Sequence, residues 1–181
     1  MRTPISPTRC SVRHTPIKAT SIDESLDYVQ LLLAHGGNPN LESLPPDRSN
    51  TPSTPLIKAS ATRLESVRLL VESGADVNHV TAIGYSSALD NAFIHENLDI
   101  LEYLIFDKKA NYNIVFNVTI QGDTLRIANM LRRLVYPLDS KEYLGKMELV
   151  HYLEARGIDY RNAPVPKHYY QSYSKEYLDQ Y

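Results

Sequence analysis

The sequence has little of what disulfide-bonded, membrane-spanning or strongly charged proteins use. Cysteine occurs once, at Cys10, which excludes an intramolecular disulfide. No apolar run approaches the ~20 residues that a membrane span needs, and the N-terminus has no apolar secretory core. The formal net charge is −2, a field too weak for a dedicated nucleic-acid or anionic-membrane binder. We therefore expect a cytoplasmic protein with no nucleic-acid partner and no membrane partner.

Recognisable catalytic motifs are also absent. The six histidines are scattered, and none pairs with another at metal-ligand spacing. There is no glycine-rich phosphate loop, no Gly-x-Ser-x-Gly elbow and no His-Glu-x-x-His motif. Cys10 lies in a proline-rich terminus without a nearby base. The sequence therefore predicts no catalytic residue, no metal, no cofactor and no enzymatic activity, although residues of distant segments could still converge.

What the sequence does have is a repeated pattern, clearest between Thr54 and Asn78. Thr54-Pro55-Leu56 opens a helix, because threonine caps an N-terminus and proline at the first helical position loses no hydrogen bond. A second helix follows at Leu64–Val71, with apolar residues spaced three and four apart. Gly74 then ends that helix. One such helix pair cannot bury its apolar face alone, so neighbouring pairs must stack.

These strings resemble the ankyrin repeat, through Thr-Pro-Leu with an alanine shortly after it and Gly-Ala-Asp-Val-Asn after the second helix. The spacing from Thr54 to Ser87 fits the 33 residues of that repeat. The resemblance implies an all-α fold: an ankyrin-repeat solenoid of stacked helix-turn-helix units with short β-hairpin fingers. We expect an array over residues 1–162, with repeats at about 13–40, 54–78, 84–113 and 122–161.

The sequence departs from the family at the histidine of Thr-Pro-Leu-His. Lys18, Ile57, Asp90 and Arg126 occupy that place. The hydrogen bonds that this histidine makes between neighbouring repeats should therefore be missing or replaced. The third unit also has Lys108-Lys109 where the others have a glycine, so its second helix should end less regularly.

Two insertions interrupt the pattern. Leu41–Ser53 contains three prolines and is predicted to be a loop, either a binding loop or a tolerated surface insertion. Between Ala128 and Met147, an apolar helical stripe continues and predicts a first helix one or two turns longer than usual. Met130, Leu134 and Tyr136 in this segment should extend the core, because apolar helical residues usually pack inward; the alternative is a ridge that faces a partner.

The tail over residues 163–181 is rich in tyrosine. Tyr169, Tyr173, Tyr177 and Tyr181 are four apart and would line one face of a helix. A helix of this kind could cap the apolar flank of the last repeat, since each ring has an apolar body and a polar tip. The alternative is a docking stripe for a partner, because tyrosine is enriched at interfaces.

Partners of ankyrin-repeat proteins bind along the fingers and the concave face of the first helices, so the resemblance implies a partner protein. The second finger is predicted at residues 79–86 and the third finger at residues 114–121. In the third finger, every second residue from 114 to 120 is apolar, which indicates a β-ribbon with one apolar side formed by Ile114, Phe116, Val118 and Ile120. That side is a binding patch if it faces solvent and core if it packs inward. The candidate partner-binding residues are Asp47, Arg48, His79, Thr81, Ile83, Tyr85, Phe116 and Val118.

The function predicted from the sequence is a non-catalytic protein–protein interaction module, an adaptor or an inhibitor. One alternative is a bacterial toxin-immunity or effector-type ankyrin protein with a single tight partner, which the compact size permits. The other is a regulatory subunit or an enzyme with an unrecognised site, and a closed pocket lined by titratable groups would favour it.

Overall fold

The computed structural model describes residues 26–43, 52–82 and 86–180 as helices stacked in sequence order. The first helix of the first unit, most of the proline-rich insertion and the tip of the second finger lie outside these residues. The elements are α1 (Leu26–Ala34), α2 (Pro55–Ala59), α3 (Leu64–Glu72), α4 (Ala88–Ile94), α5 (Leu98–Glu102, continued by a π-helical turn over Tyr103–Asp107), β1 (Asn117–Val118), β2 (Thr124–Leu125), α6 (Ile127–Leu131), α7 (Lys141–Glu154), α8 (Tyr169–Ser172) and α9 (Lys175–Gln180).

The helix starts follow the predicted caps. The Thr54 hydroxyl accepts from the Ile57 amide at 3.3 Å, and Pro55 is the first residue of α2. In the third unit, the Ser87 hydroxyl accepts from the Asp90 amide at 3.0 Å. Each cap satisfies an amide that has no partner within its own helix, so these short helices begin at defined residues.

The helix ends of the second and fourth units have the predicted glycine in the left-handed region, with φ +89° at Gly74 and +87° at Gly157. The third unit differs as expected. Its second helix ends in the π-helical turn, and Lys109 adopts φ +53° in place of a glycine. A non-glycine residue in this region is strained, so tertiary contacts must hold the chain there.

The core is continuous from unit to unit. Second helices supply most of it, because their apolar residues at helical spacing all face the neighbouring pairs. Aliphatic side chains that are at most 2% exposed include Leu56, Val67, Leu70, Leu89, Ile100, Leu101, Leu104, Leu131, Leu149, Val150 and Leu153. The predicted extension of the core by Met130, Leu134 and Tyr136 is confirmed, since all three are buried.

Side-chain amides replace the missing histidine between the second and third units. The Asn91 amide donates to the Ile57 carbonyl, and the Asn97 amide donates to the Ser60 carbonyl at 2.9 Å. Both acceptors lie at the first helix of the preceding unit. These bonds join the two first helices and stabilise their packing.

A ladder of asparagines joins the turns that follow the second helices. The Asn40 amide oxygen accepts from the Asp76 backbone at 2.7 Å, and one unit later the Asn78 oxygen accepts from the Asn111 backbone at 2.7 Å. In the described part of the chain, no hydrogen bond continues the ladder from Asn113 to the fourth unit. The ladder therefore couples the first three units only.

Removing one step of this ladder should destabilise the protein. We expect Asn78→Ala to lower the free energy of unfolding by about 1 kcal/mol, the usual contribution of one hydrogen bond. Urea denaturation would measure the change, with Asn113→Ala as the matched control, because the Asn113 side chain occupies the equivalent place without a partner in the next unit. Equal losses in the two variants would show that the ladder contributes nothing.

The fourth unit corrects one prediction. Its first helix is not lengthened: α6 ends at Leu131, and the chain turns through residues 132–140. Just beyond this end, the Arg132 side chain donates to the carbonyls of Tyr160 and Arg161, which ties the turn to the segment after α7. The inserted residues form this turn and the first part of α7, which has 14 residues where α3 has nine.

The tail is two short helices, not the single helix that was expected. Tyr173 is extended between them and breaks the helical face. The tail lies on the turn of the fourth unit: the Tyr169 hydroxyl donates to the Arg133 carbonyl at 2.8 Å, and the Tyr177 hydroxyl donates to the Tyr136 carbonyl. Leu178 is buried. These contacts are compatible with the capping role that the sequence predicts.

Candidate functional site

The second finger begins with two polar contacts. His79 Nε2 lies 3.0 Å from Glu42 Oε2, which ties the base of this finger to the chain that follows the first unit. The Thr81 hydroxyl accepts from the Ser86 amide at 3.0 Å, and the Thr81 amide donates to the Ser86 carbonyl. Thr81 is buried, so its contacts with Ser86 stabilise the finger internally. The prediction that Thr81 binds a partner is therefore wrong.

The third finger is the β-ribbon that the sequence predicts. Asn117 pairs with Leu125 and Val118 with Thr124 in an antiparallel register. The turn is fixed by the Thr119 amide, which donates to the Asp123 carbonyl at 2.8 Å. Ile120 at the tip is fully exposed, and Val118 is 45% exposed. The finger therefore presents two adjacent aliphatic side chains on a hydrogen-bonded support.

Phe116 does not belong to that exposed surface, and this corrects the prediction that it binds a partner. Its side chain is 2% exposed, and its ring meets Phe93 of α4 edge to face with 5.4 Å between centroids. Ring pairs of this geometry stabilise a core beyond the area they bury. Phe116 anchors the base of the finger to the third unit.

A cleft of about 500 Å³ lies beside this finger. One wall is the finger turn, and the other is the segment 164–167 that follows the fourth unit. Its polar lining residues are Thr119, Asp123, Thr124, Asn129, Arg133 and Lys167. The aliphatic tip and this cleft form one surface on which a partner can combine apolar burial with polar contacts.

Comparison with known proteins decides the family. The model of a family described as ankyrin repeats, in three copies, matches residues 19–115, which is more than half of the chain. This chain belongs to the ankyrin-repeat family. A search of the curated proteins gives no match. The match covers the first three units. Contacts of α7 with α5 of the third unit agree with the prediction of a further repeat over residues 122–161.

Of the remaining predicted residues, His79 and Val118 stand on the described surface. Asp47, Arg48, Ile83 and Tyr85 lie outside the described residues. Ile120 was missed as a candidate, although its place between Thr119 and Gln121 at a turn indicated a finger tip. Turn positions carry exposed side chains, and an aliphatic one there is the signal that could have found it.

The strongest cluster of titratable groups is an acidic groove of about 520 Å³ between α5 and α7. Burial, followed by the charges of Glu148 and Asp99, raises the pKa of Glu102 in this groove. Most of the carboxylates that line it are exposed, so it is not a closed pocket. Within the described residues, no group of three or more His, Cys, Asp or Glu side chains could hold a metal ion.

A second cluster is buried inside the fourth unit. Lys146 of α7 is 0% exposed and donates to the Leu134 carbonyl at 3.0 Å. The Arg132 guanidinium lies 4.2 Å from the centre of the Tyr160 ring, and Lys146 Nζ lies 5.4 Å from it. Burial first, and then the charges of Arg132 and Arg161, lower the pKa of Lys146 to about 6. These groups are sealed from solvent, so they stabilise the unit and cannot meet a substrate.

None of the described helices is both long and apolar enough to cross a membrane.

Proposed function

We propose that this chain is a non-catalytic interaction module, an adaptor or an inhibitor, that binds a partner protein through its fingers. The family generally mediates protein–protein binding, which supports the class of function. The observation that carries the site is the exposed pair Val118 and Ile120 on the third finger, beside the cleft. We include His79, at the base of the second finger beside Glu42, in the proposed binding surface.

A partner should bind at Val118 and Ile120 because exposure of these aliphatic side chains to water is unfavourable. Burying a valine or an isoleucine contributes about 1.5–3 kcal/mol, and the hydrogen-bonded ribbon has already restricted the backbone that presents them. Aliphatic exposure at a finger tip does nothing for the folded chain alone. A partner with an apolar pocket would recover that free energy, and the polar rim of the cleft would orient it.

Capture from native extract with quantitative mass spectrometry tests the proposal. The double variant Val118→Ser/Ile120→Ser should retain a stoichiometric partner at least tenfold less than the wild type, because loss of two buried aliphatic groups exceeds ~1.4 kcal/mol. The matched control is Ile94→Ser/Leu144→Ser, which removes two exposed aliphatic groups away from the fingers. All variants are first shown to unfold at the wild-type temperature.

The pattern of partners separates the possibilities. One tight partner lost only in the finger variant supports an inhibitor, and several weaker ones support an adaptor. A partner retained equally by the finger variant would move the binding site elsewhere. Failure to capture any stoichiometric protein would contradict the proposal and favour a regulatory subunit or an enzyme.

A further inference from the structure

Four cations and two aromatic rings form a row across the outer helices of this protein. Arg68, Lys108, Lys109 and Arg156 are all exposed, and we call them the basic row. They belong to the second helices of three successive units: Arg68 to α3, Lys108 and Lys109 to the end of α5, and Arg156 to the end of α7. None of them lies on a finger, so the row is a separate surface from the proposed partner site.

The same arrangement recurs at two successive interfaces between units. The Tyr103 ring has the guanidinium of Arg68 from the preceding unit at 4.6 Å and the ammonium of Lys108 from its own unit at 5.2 Å. The Tyr152 ring has Lys109 from the preceding unit at 5.5 Å. In this second copy, Arg156 from the ring's own unit is at 3.5 Å. Each ring therefore lies close to two cations, one from the preceding unit and one from its own unit.

Stability alone does not explain this arrangement. One exposed cation over a ring stabilises the fold slightly, but a second cation at the same ring is repelled by the first. Arg156 and Lys109 are also held by hydrogen bonds, to the Tyr152 carbonyl at 2.9 Å and to the Tyr152 hydroxyl at 3.4 Å. The negative ends of helix dipoles favour Lys108, Lys109 and Arg156, which follow helix ends. They do not account for Arg68, which lies in the middle of α3.

The row also lacks carboxylate partners. Within residues 26–43, 52–82 and 86–180, no Asp or Glu comes within 4.0 Å of any of the four cationic groups. Ion pairs do form elsewhere in that part of the chain, at His79–Glu42 and Arg161–Glu154. Glu65 and Glu72 lie on the same helix as Arg68, and Asp107 precedes Lys108, but none of these carboxylates forms an ion pair with the row. The four cationic groups can therefore pair with carboxylates from a partner.

We propose that the basic row binds an extended acidic segment of a partner protein. Packed helices lie ~8–10 Å apart, so the row spans roughly 20 Å over three of them. An extended chain rises ~3.3 Å per residue, which matches about six residues with glutamate or aspartate among them. The cations are already oriented on rigid rings, so fewer side-chain rotamers must be ordered on binding.

The rings themselves argue for carboxylates over nucleic acid. Single-stranded nucleic acids bind by stacking bases on exposed aromatic faces. Tyr103 is buried and Tyr152 is half-buried, and cations already cover their faces. The groups that remain accessible to a ligand are the guanidinium and ammonium groups of the basic row, and these charged hydrogen-bond donors bind carboxylates well.

Fluorescence anisotropy with a fluorescein-labelled hexaglutamate peptide, in about 50 mM salt where screening is weak, tests this proposal on the full chain. We expect Lys108→Gln/Lys109→Gln to raise the Kd at least tenfold. The matched control Lys141→Gln/Lys175→Gln removes the same charge from exposed lysines outside the row and outside the cleft, and it should change the Kd less than twofold. The single variant Lys108→Gln should show an intermediate Kd, and it keeps the test valid if the double variant unfolds.

Three results would overturn the proposal. The wild type could fail to bind hexaglutamate, or the Lys141→Gln/Lys175→Gln control could lose as much affinity as the row variant, which would mean general charge attraction. Alternatively, a hexauridine RNA or vesicles with phosphatidylserine could bind more tightly than the peptide through the same lysines, which would assign the row to another class of ligand. The variant Val118→Ser/Ile120→Ser should bind hexaglutamate like the wild type. A failure of the proposed finger site can therefore be distinguished from a failure of the basic row.

Discussion

Replacement of Lys146 by methionine is expected to abolish most of the dependence of this protein's stability on pH between pH 7 and pH 9.5. Lys146 is fully buried in the fourth unit, and its pKa is lowered from 10.5 to about 6. At neutral pH the folded protein therefore holds a neutral amine, whereas the unfolded chain holds an ammonium. Methionine has a similar length and no charge to desolvate.

The sign follows from proton binding. Between pH 6 and pH 10.5 the unfolded state binds one more proton at this residue than the folded state, so the free energy of unfolding rises with pH. The slope is about 1.4 kcal/mol per pH unit, or roughly 3 kcal/mol between pH 7 and pH 9.5. The contribution is complete above the unfolded pKa and is lost as the pH falls towards the folded pKa.

Urea denaturation at several pH values in that range measures the slope. The range avoids Asp90, whose pKa burial raises to about 6, and the onset of tyrosine ionisation in the unfolded chain. The matched control is Lys141→Met, an exposed lysine on the same helix, which should keep the wild-type slope. Methionine leaves the Leu134 carbonyl without this donor, at a cost of about 1–3 kcal/mol that does not vary with pH. Equal slopes for the wild type and Lys146→Met would contradict the prediction.

Phe116→Ala is expected to lower the free energy of unfolding by about 3–5 kcal/mol, the range for truncation of a buried phenylalanine. The ring fills the junction between the third finger and α4, where it contacts Phe93, and the truncated side chain would leave a cavity. Thermal and urea denaturation measure the loss.

Val118→Ala, two residues along the same finger, is the control and should cost less than about 1 kcal/mol because the side chain is half exposed. The prediction fails if Phe116→Ala leaves the stability near that of the wild type. A folded Phe116→Ala variant that nonetheless loses a partner would restore the original assignment of Phe116 to the binding surface.

Much of the fold follows from local sequence. Thr54-Pro55 and Ser87 mark helix starts because a hydroxyl cap acts within three residues of itself, and Gly74 and Gly157 mark helix ends because left-handed backbone favours glycine. Even the irregular end of the second helix in the third unit could be predicted, because the sequence has Lys109 where the other units have a glycine. Features of this kind need no knowledge of the neighbouring units.

Features that depend on distant contacts could not be predicted in the same way. Phe116 shares its parity with Val118, but the ribbon is only two residue pairs long, so alternation does not continue to the base of the finger. The apolar stripe after Ala128 indicated a longer helix, but the chain turns after Leu131, and the Arg132 side chain bonds to the distant carbonyls of Tyr160 and Arg161. Lys146 looks like an ordinary surface lysine until the turn of residues 132–140 covers it. The basic row exists only once successive units are stacked.

The asparagine ladder has a mechanical consequence. Backbone amides are tied from turn to turn across the first two interfaces, which resists rotation of one unit on the next. At the third interface this restraint is absent from the described turns, while α7 approaches α5 so closely at Gly145 that an added Cβ would lie 2.9 Å from a Leu98 methyl. Side chains hold this interface instead: Lys109 Nζ donates to the Tyr152 hydroxyl at 3.4 Å, and the Tyr136 hydroxyl donates to the Glu96 carbonyl. The third interface should therefore depend on side-chain packing more than the first two do, so a side chain added at Gly145 should disturb it directly.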